Sequence, residues 1–179
     1  MKHFFSPALL ALAATLATAT SLAHAQEIPF PKASPKAKLT EQIGVASLEI
    51  EYSRPSVKGR KVFGDLVPWG EVWRTGANAA TVLATDKALD FGGIVVPAGK
   101  YSVWTLPTKS GWTLILNSQS GQWGTEHDAS KDLYKIALAV EALPDVVERF
   151  TINVLPRDTG GVLQLDWDTT RASVGFAVK

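Results

Sequence analysis

Alternating apolar and polar positions recur along most of the chain. Between Ile43 and Ser53, Ala46, Leu48, Ile50 and Tyr52 fall on one face while Ser47, Glu49 and Glu51 fall on the other, the pattern of a half-buried strand. Arg54-Pro55 ends that run, because proline has no N–H to give to a ladder. Ala80, Val82 and Ala84 then alternate with Thr81, Leu83 and Thr85, which predicts a strand with its threonines outward. Leu89–Phe91 and Ile94–Val96 flank Gly92-Gly93, a turn signal, and Pro97-Ala98-Gly99 is another. Tyr101, Val103 and Thr105 alternate with Ser102, Trp104 and Leu106, and Trp112, Leu114 and Leu116 with Thr113, Ile115 and Asn117. The polar turn between them predicts a hairpin. Asn117 to Lys131 is a second polar connection, with a short helical turn predicted over Ser130–Tyr134. Further strands follow at Ile136–Ala142, broken by Pro144-Asp145, at Phe150–Val154, at Leu163–Trp167 after the turn Asp158–Gly161, and at Val174–Val178. Together these are about eight or nine strands with almost no helix, which predicts an all-β antiparallel β-sandwich. A closed β-barrel is the alternative; most strands show a single apolar face, which favours the sandwich.

One stretch obeys neither period. Arg54 to Asn78 is interrupted by Pro55, Gly59, Gly64, Pro68, Gly70 and Gly76, yet it is rich in Phe63, Leu66, Val67, Trp69, Val72 and Trp73. Long irregular segments within compact domains are usually functional or disordered, and this apolar content argues for order. It reads as one long, specified loop held by the β scaffold.

The ends of the chain add an address. Lys2 and His3 precede an apolar run through Leu9, Leu10, Leu12 and Leu16, and Ala23-His24-Ala25 is a small-x-small cleavage site. Residues 1–25 are therefore expected to be a signal peptide, with the mature chain starting at Gln26 and lying in the periplasm or outside the cell. Threonines and a serine interrupt the run, against a spanning helix, and no later stretch is long enough to be a transmembrane segment. Residues 26–40, with Pro29, Pro31, Pro35 and three lysines, read as an extended N-terminal arm, and residues 41–179 as a single domain.

Charge narrows the partners. Loss of residues 1–25 removes Lys2 and no acid, so the 17 Asp and Glu are matched by equally many Lys and Arg. No polybasic run points to nucleic acid. Within Arg54–Asn78, however, Arg54, Lys58, Arg60, Lys61 and Arg74 face only Asp65 and Glu71, which favours an anionic group or an acidic partner. The chain has no cysteine, and at its length a core is sufficient without disulfides.

The candidate ligand-binding residues are Arg54, Lys58, Arg60, Trp73, Arg74, Asn78, Trp123 and His127. Guanidinium groups present a planar fork of donors to carboxylate or phosphate, and backbone amides at Gly59 and Gly76 are placed to add to it. The plain structural role for the same arginines is pairing with Asp65, Glu71 or loop carbonyls. Asn78 suits either a ligand contact or the end of the Thr75-Gly76-Ala77 turn. Of the six tryptophans, Trp112 and Trp167 fall on inward strand faces and belong to the core, while Trp73 and Trp123 lie in loops and suit a carbohydrate-like ligand or anchoring to the core. His127, the sole histidine beyond residue 25, has Glu126, Asp128 and Asp132 nearby, a pattern too common to define a metal site. There is no cofactor or catalytic motif of the zincin, EF-hand, nucleophile-elbow or P-loop kind.

At the loop the sequence resembles a family of bacterial exported proteins built on a domain of unknown function. The resemblance rests on Arg54-Pro55-Ser56-Val57-Lys58-Gly59-Arg60, on Phe63-Gly64-x-Leu66-Val67-Pro68-x-Gly70 and on Trp73-Arg74-Thr75-Gly76-Ala77-Asn78-x-Ala80-Thr81. It continues through Pro97-Ala98-Gly99-x-Tyr101-Ser102, Trp123-Gly124 and Leu163-x-Leu165-x-Trp167, nearly the whole mature chain. What it implies is an exported single-domain β protein, with no established activity to carry over. Trp69 stands where such proteins are expected to vary and is set aside as a site.

Three functions remain open at this point. The first is a non-catalytic binding or accessory protein whose loop takes an anionic or carbohydrate-like ligand or an envelope protein. The second is a hydrolase-type enzyme using His127 and Asp132 with the loop arginines, which requires those groups to converge on one pocket. The third is a purely structural loop that plugs one end of the sandwich.

Overall fold

The alternation seen in the sequence becomes nine strands in the computed structural model, which describes Met1 and residues 33–179. They are β1 (Lys36–Ile43), β2 (Ala46–Ser53), β3 (Thr81–Thr85), β4 (Leu89–Phe91), β5 (Ile94–Val96), β6 (Gly99–Thr108), β7 (Gly111–Asn117), β8 (Asp132–Arg157) and β9 (Gly160–Val178). All pairings are antiparallel, in the order β1-β2-β3-β6-β7-β8-β9-β4-β5. The sheet is open, with β1 and β5 at its edges, so the barrel alternative does not hold. The expected signal peptide, and the arm as far as Lys32, lie outside the described residues.

Sandwich-like layering follows from β8 and β9. The first part of β8 pairs with β7, through Asp132–Leu138, and the rest pairs with β9. These two long strands carry the sheet over onto itself. Ile50, Leu83, Val103 and Leu114 then meet Ile152, Leu163 and Leu165 around a residual void of about 10 Å³. The Tyr52 hydroxyl ties the layers together by accepting from the Ile152 N–H at 3.0 Å.

Four local expectations are corrected. First, Pro144 does not break a strand. It lies where the β8–β9 register shifts between Ala142 and Val147, an irregularity where its missing N–H costs no ladder bond, and β8 runs on unbroken. The predicted Ile136–Ala142 and Phe150–Val154 strands are thus one strand, as are the predicted Leu163–Trp167 and Val174–Val178 strands. Second, Thr81 and Thr85 face inward with Leu83, and Val82 and Ala84 face outward. The larger Leu83 sets the register, and the buried hydroxyls are satisfied, Thr81 donating to the Thr75 carbonyl at 2.6 Å and Thr85 to that of Lys87 at 2.8 Å. Third, the arm ends earlier than expected, because Lys36–Ile43 pairs with β2 as an edge strand. The apolar residues of its inward face are only Ala37, Leu39 and Ile43, with Glu41 between them, too sparse a signal beside the prolines and lysines. Fourth, the helical turn is a 3-10 turn over Ala129–Lys131, capped by the Asp128 carboxylate and stopped by the extended backbone of Asp132.

Burial has one titration consequence. Desolvation raises the Tyr101 phenol above its ordinary value, and neighbouring Tyr134 pushes it the same way. The folded state thus holds Tyr101 neutral after the unfolded chain has begun to ionise. Its contribution is intact below pH of about 10 and is lost as pH rises through the folded value. Absorbance at 295 nm against pH is expected to show a late phase of ionisation that Tyr101→Phe removes.

Candidate functional site

The loop that fits no period is ordered by burying its apolar side chains. Val57, Val62, Phe63, Val67 and Trp73 all join the main core. Trp73 stacks on Trp167 with ring centroids 5.5 Å apart and meets Phe150 edge-on at 5.1 Å, and Phe63 meets Trp112 at 4.6 Å. The backbone is laced to the scaffold as well. Trp73 exchanges two hydrogen bonds with Thr105 of β6, at 2.7 and 2.9 Å, and the Gly70 N–H donates to the Pro107 carbonyl. At the other end the Val57 N–H donates to the Glu148 carbonyl, and the Phe150 N–H donates to that of Pro55.

The arginines divide. Arg54 donates to the Phe150 carbonyl at 3.0 Å and to the Thr151 hydroxyl at 2.7 Å, so its guanidinium fastens the loop to β8. Arg60 closes its own turn, donating from Nε to the Val57 carbonyl and from Nη2 to that of Ser56. Among the described residues that leaves Nη1 free and an exposed cation. Arg74 makes one long bond, 3.4 Å to the Asn78 carbonyl. Pairing with Asp65 or Glu71 does not occur: among the described residues, none of the three arginines lies within ion-pair distance of a carboxylate. The carbonyl bonds expected of a structural role are present; the salt bridges are not.

Arg60, Trp73, Arg74, Asn78 and Trp123 come together around an open cleft of about 330 Å³. Its remaining lining includes Leu66 and Trp167 and contains no acid. Trp73 is 9% exposed and forms part of the inner wall, with Nε1 bonded to the Gly76 carbonyl. Trp123 is 53% exposed, a free aromatic surface at the rim. Asn78 holds a left-handed backbone (φ 62°), as expected of a residue that ends the turn, and it is also one of the residues lining the cleft.

Arg54, Lys58 and His127 are not among the lining residues. Lys58 is exposed in a left-handed turn with Gly59, its backbone N–H donating to the Glu148 carboxylate. His127 packs on Trp104 at 4.6 Å and pairs through Nε2 with Asp132 at 2.8 Å; Asp132 also accepts from Asn117 Nδ2 at 2.8 Å. This constellation pins the Asn117–Lys131 connection over the outer face of β6. It also explains why Trp104, on the face opposite Tyr101 and Val103, is only 1% exposed. No group of three or more His, Cys, Asp or Glu among the described residues is arranged to hold a metal.

Two contributors were not singled out from the sequence. Trp167 lies in the core, as its alternation predicts, but it lines the cleft too. Gly124 is the other. Its N–H donates to the Asn78 carbonyl at 2.9 Å, and a Cβ there would collide with Arg74 Cδ and lie 2.5 Å from that same carbonyl oxygen. The Trp123-Gly124 pair in the sequence was the available signal: Gly124 lets the segment close on Arg74, and Trp123 forms a bridge with Ala79. Gly124→Ala is expected to cost about 1–3 kcal/mol by overpacking and to displace Arg74 from the cleft. Thermal unfolding and anion titration of the variant would measure both.

Comparison with known proteins adds one decisive match. Residues 34–176 match the family model described as Protein of unknown function (DUF2911). The chain belongs to the DUF2911 family. The match spans all nine strands but for the first residues of the arm and the last residues of β9, and takes in the loop, the cleft and the His127 segment of this DUF2911 domain. No curated protein and no solved structure matches the chain.

Proposed function

We propose that this DUF2911 protein is a non-catalytic binding or accessory protein, exported to the cell envelope after cleavage near Ala25, and that its loop binds an anionic group. One observation carries the reading: Arg60 and Arg74 line the cleft, no acidic residue does, and neither guanidinium is paired with a carboxylate among the described residues. Unneutralised cations in a concave site favour an anion there. Guanidinium is also the side chain best suited to grip carboxylate or phosphate. The structural-loop reading accounts for the other half of the segment, where Arg54 and Trp73 spend their donors on the protein itself. A hydrolase using His127 and Asp132 has less support, since neither residue lines the cleft with the arginines.

Calorimetric titration of the purified chain with acetate, galacturonate and inorganic phosphate tests the proposal. Saturable binding that weakens with added salt and disappears in the double variant Arg60→Gln/Arg74→Gln is the expected result. Binding that survives the double variant, or no binding by any of the anions, would sink it.

A further inference from the structure

The connection between β7 and β8 lies over an apolar cluster that is separate from the main core. Ala80, Trp104 of β6 and Ile115 of β7 form that cluster, 5%, 1% and 2% exposed, with Leu106 packed beside them. The covering segment adds no apolar anchor of its own: among the described residues, neither hydrophobic cluster contains any of residues 118–131. Its one large apolar side chain, Trp123, is exposed. Polar contacts hold it in place. The Ala80 N–H donates to the Gln122 carbonyl at 3.2 Å and the Gly124 N–H to that of Asn78 at 2.9 Å. Gln122 Nε2 donates to the Ser102 hydroxyl at 3.1 Å, which also accepts from the Trp104 indole at 2.8 Å. His127 pairs with Asp132, and its ring lies on Trp104.

The base of this segment is closed independently of those contacts. Asn117 Nδ2 donates to the Asp128 carbonyl at 2.9 Å and to the Asp132 carboxylate, the Ser118 N–H donates to the Lys131 carbonyl, and Lys131 Nζ bonds the Gln119 side chain. Residues 120–127 are thus a loop with its two ends tied together, resting on the sheet through Gln122, Gly124 and His127. One of these supports is incomplete. Gln122 is buried, yet its Oε1 has no donor among the described residues. An unpartnered buried carbonyl oxygen costs the closed state the hydration that it regains when exposed. Segments with little apolar anchorage and polar fastenings open well before the fold as a whole.

We infer that residues 120–127 are a cover that opens as one unit about its tied base, with His127 as the latch on Trp104. The supports interlock: Gln122 and Trp104 share the Ser102 hydroxyl, and the Gln122 carbonyl and Gly124 N–H grip Asn78–Ala80 on either side of the Ala79–Trp123 bridge. Release of one therefore loosens the next. Opening bares Trp104 and Ala80, and it acts on the cleft in the same step. Trp123 leaves the lining, and Gly124, which fits against Arg74 too closely to admit a Cβ, no longer supports that side chain. The cleft is complete only while the cover is closed. This goes beyond the anion-binding reading and does not depend on what the cleft holds.

Native-state hydrogen exchange of the purified chain, followed in 15N–1H spectra, tests the cover. The N–H groups to read are the amides of Ala80 and Gly124 and the indole of Trp104, against the amides of Val103 and Leu114 in the central strands. The first three are expected to share one protection factor, at least about a hundredfold below that of the strands. Low concentrations of urea should leave it unchanged while protection in the strands falls, because local opening exposes little surface. His127→Ala is expected to lower the protection of the three by about a further tenfold, the loss of one hydrogen bond to a charged group, and to leave Val103 and Leu114 as they were. Protection of the three equal to that of the strands, with the same response to urea, overturns the inference, since the segment would then open only with the whole fold. Exchange at Trp104 without Gly124, or the reverse, overturns the single unit and its link to the cleft. Unchanged exchange in His127→Ala overturns the latch. The wild-type spectra decide the opening even if that variant does not fold.

Discussion

Trp73→Ala is expected to lower the stability of the fold by about 3–5 kcal/mol, the usual cost of truncating a buried tryptophan. For a domain of this size that corresponds to a fall in Tm of roughly 6–20 °C. The indole fills the space between the loop and β9, stacked on Trp167, edge-on to Phe150 and in contact with Phe63. Its N–H closes the turn through the Gly76 carbonyl, and its backbone forms a two-bond bridge with Thr105. Alanine keeps the bridge and loses everything else, leaving a cavity that the stiff aromatic neighbours cannot collapse into. Loss of the indole bond also leaves the Gly76 carbonyl without that donor, beside Thr75, whose positive φ (50°) is held by its surroundings. Differential scanning calorimetry would check the magnitude. A loss below about 1 kcal/mol, typical of surface positions, would show that the loop is not anchored as described.

The largest effect on binding is expected from Arg60→Gln/Arg74→Gln. Each charge-assisted hydrogen bond to an anion contributes about 1.5–3 kcal/mol, so removal of both guanidiniums should weaken anion binding by at least about a hundredfold. Stability should change far less. Arg74 gives up one long bond to the Asn78 carbonyl, and Arg60 loses two bonds to the carbonyls of Ser56 and Val57. The contrast with Arg54→Gln is informative, because that side chain bonds Phe150 and Thr151 away from the cleft lining. Arg54→Gln should reduce stability and leave anion binding unchanged. If all three substitutions reduce stability alike and none affects binding, the loop is a structural plug throughout. Thermal unfolding alongside calorimetric titration separates the cases.

The strands were legible because each half-buried strand writes its own period: Ala46, Leu48, Ile50 and Tyr52 are all buried, as their alternation requires. Inward placement of Trp112 and Trp167 followed from the same rule. The rule faltered where both faces are covered or where the inward residues are small. In β3 the pattern points to the opposite face because threonine is polar in composition yet buries its hydroxyl against a nearby carbonyl. β1 was missed because Ala37 and Leu39 make a weak stripe. Pro144 looked like a terminator because a sequence does not show that a bulge will excuse its missing donor.

The loop shows the same division more sharply. Its sequence established that it is ordered, cationic and aromatic, and its resemblance to a family of unknown function agrees with the DUF2911 match over residues 34–176. Sequence alone could not sort Arg54 from Arg60 and Arg74, since each is a guanidinium among glycines and prolines. The sorting is done by β8, which supplies acceptors at Phe150 and Thr151 to the first and none to the others. Likewise Trp123 reaches the cleft only because its segment is laced to Asn78–Ala80, far earlier in the chain. Local pattern determined the strands, the core tryptophans and the existence of a specified loop, because these follow from which side of a short segment is apolar. Which donors are spent within the protein and which face the cleft was decided by the tertiary structure, because a hydrogen-bonding group is committed by whatever acceptor the fold brings within about 3 Å of it.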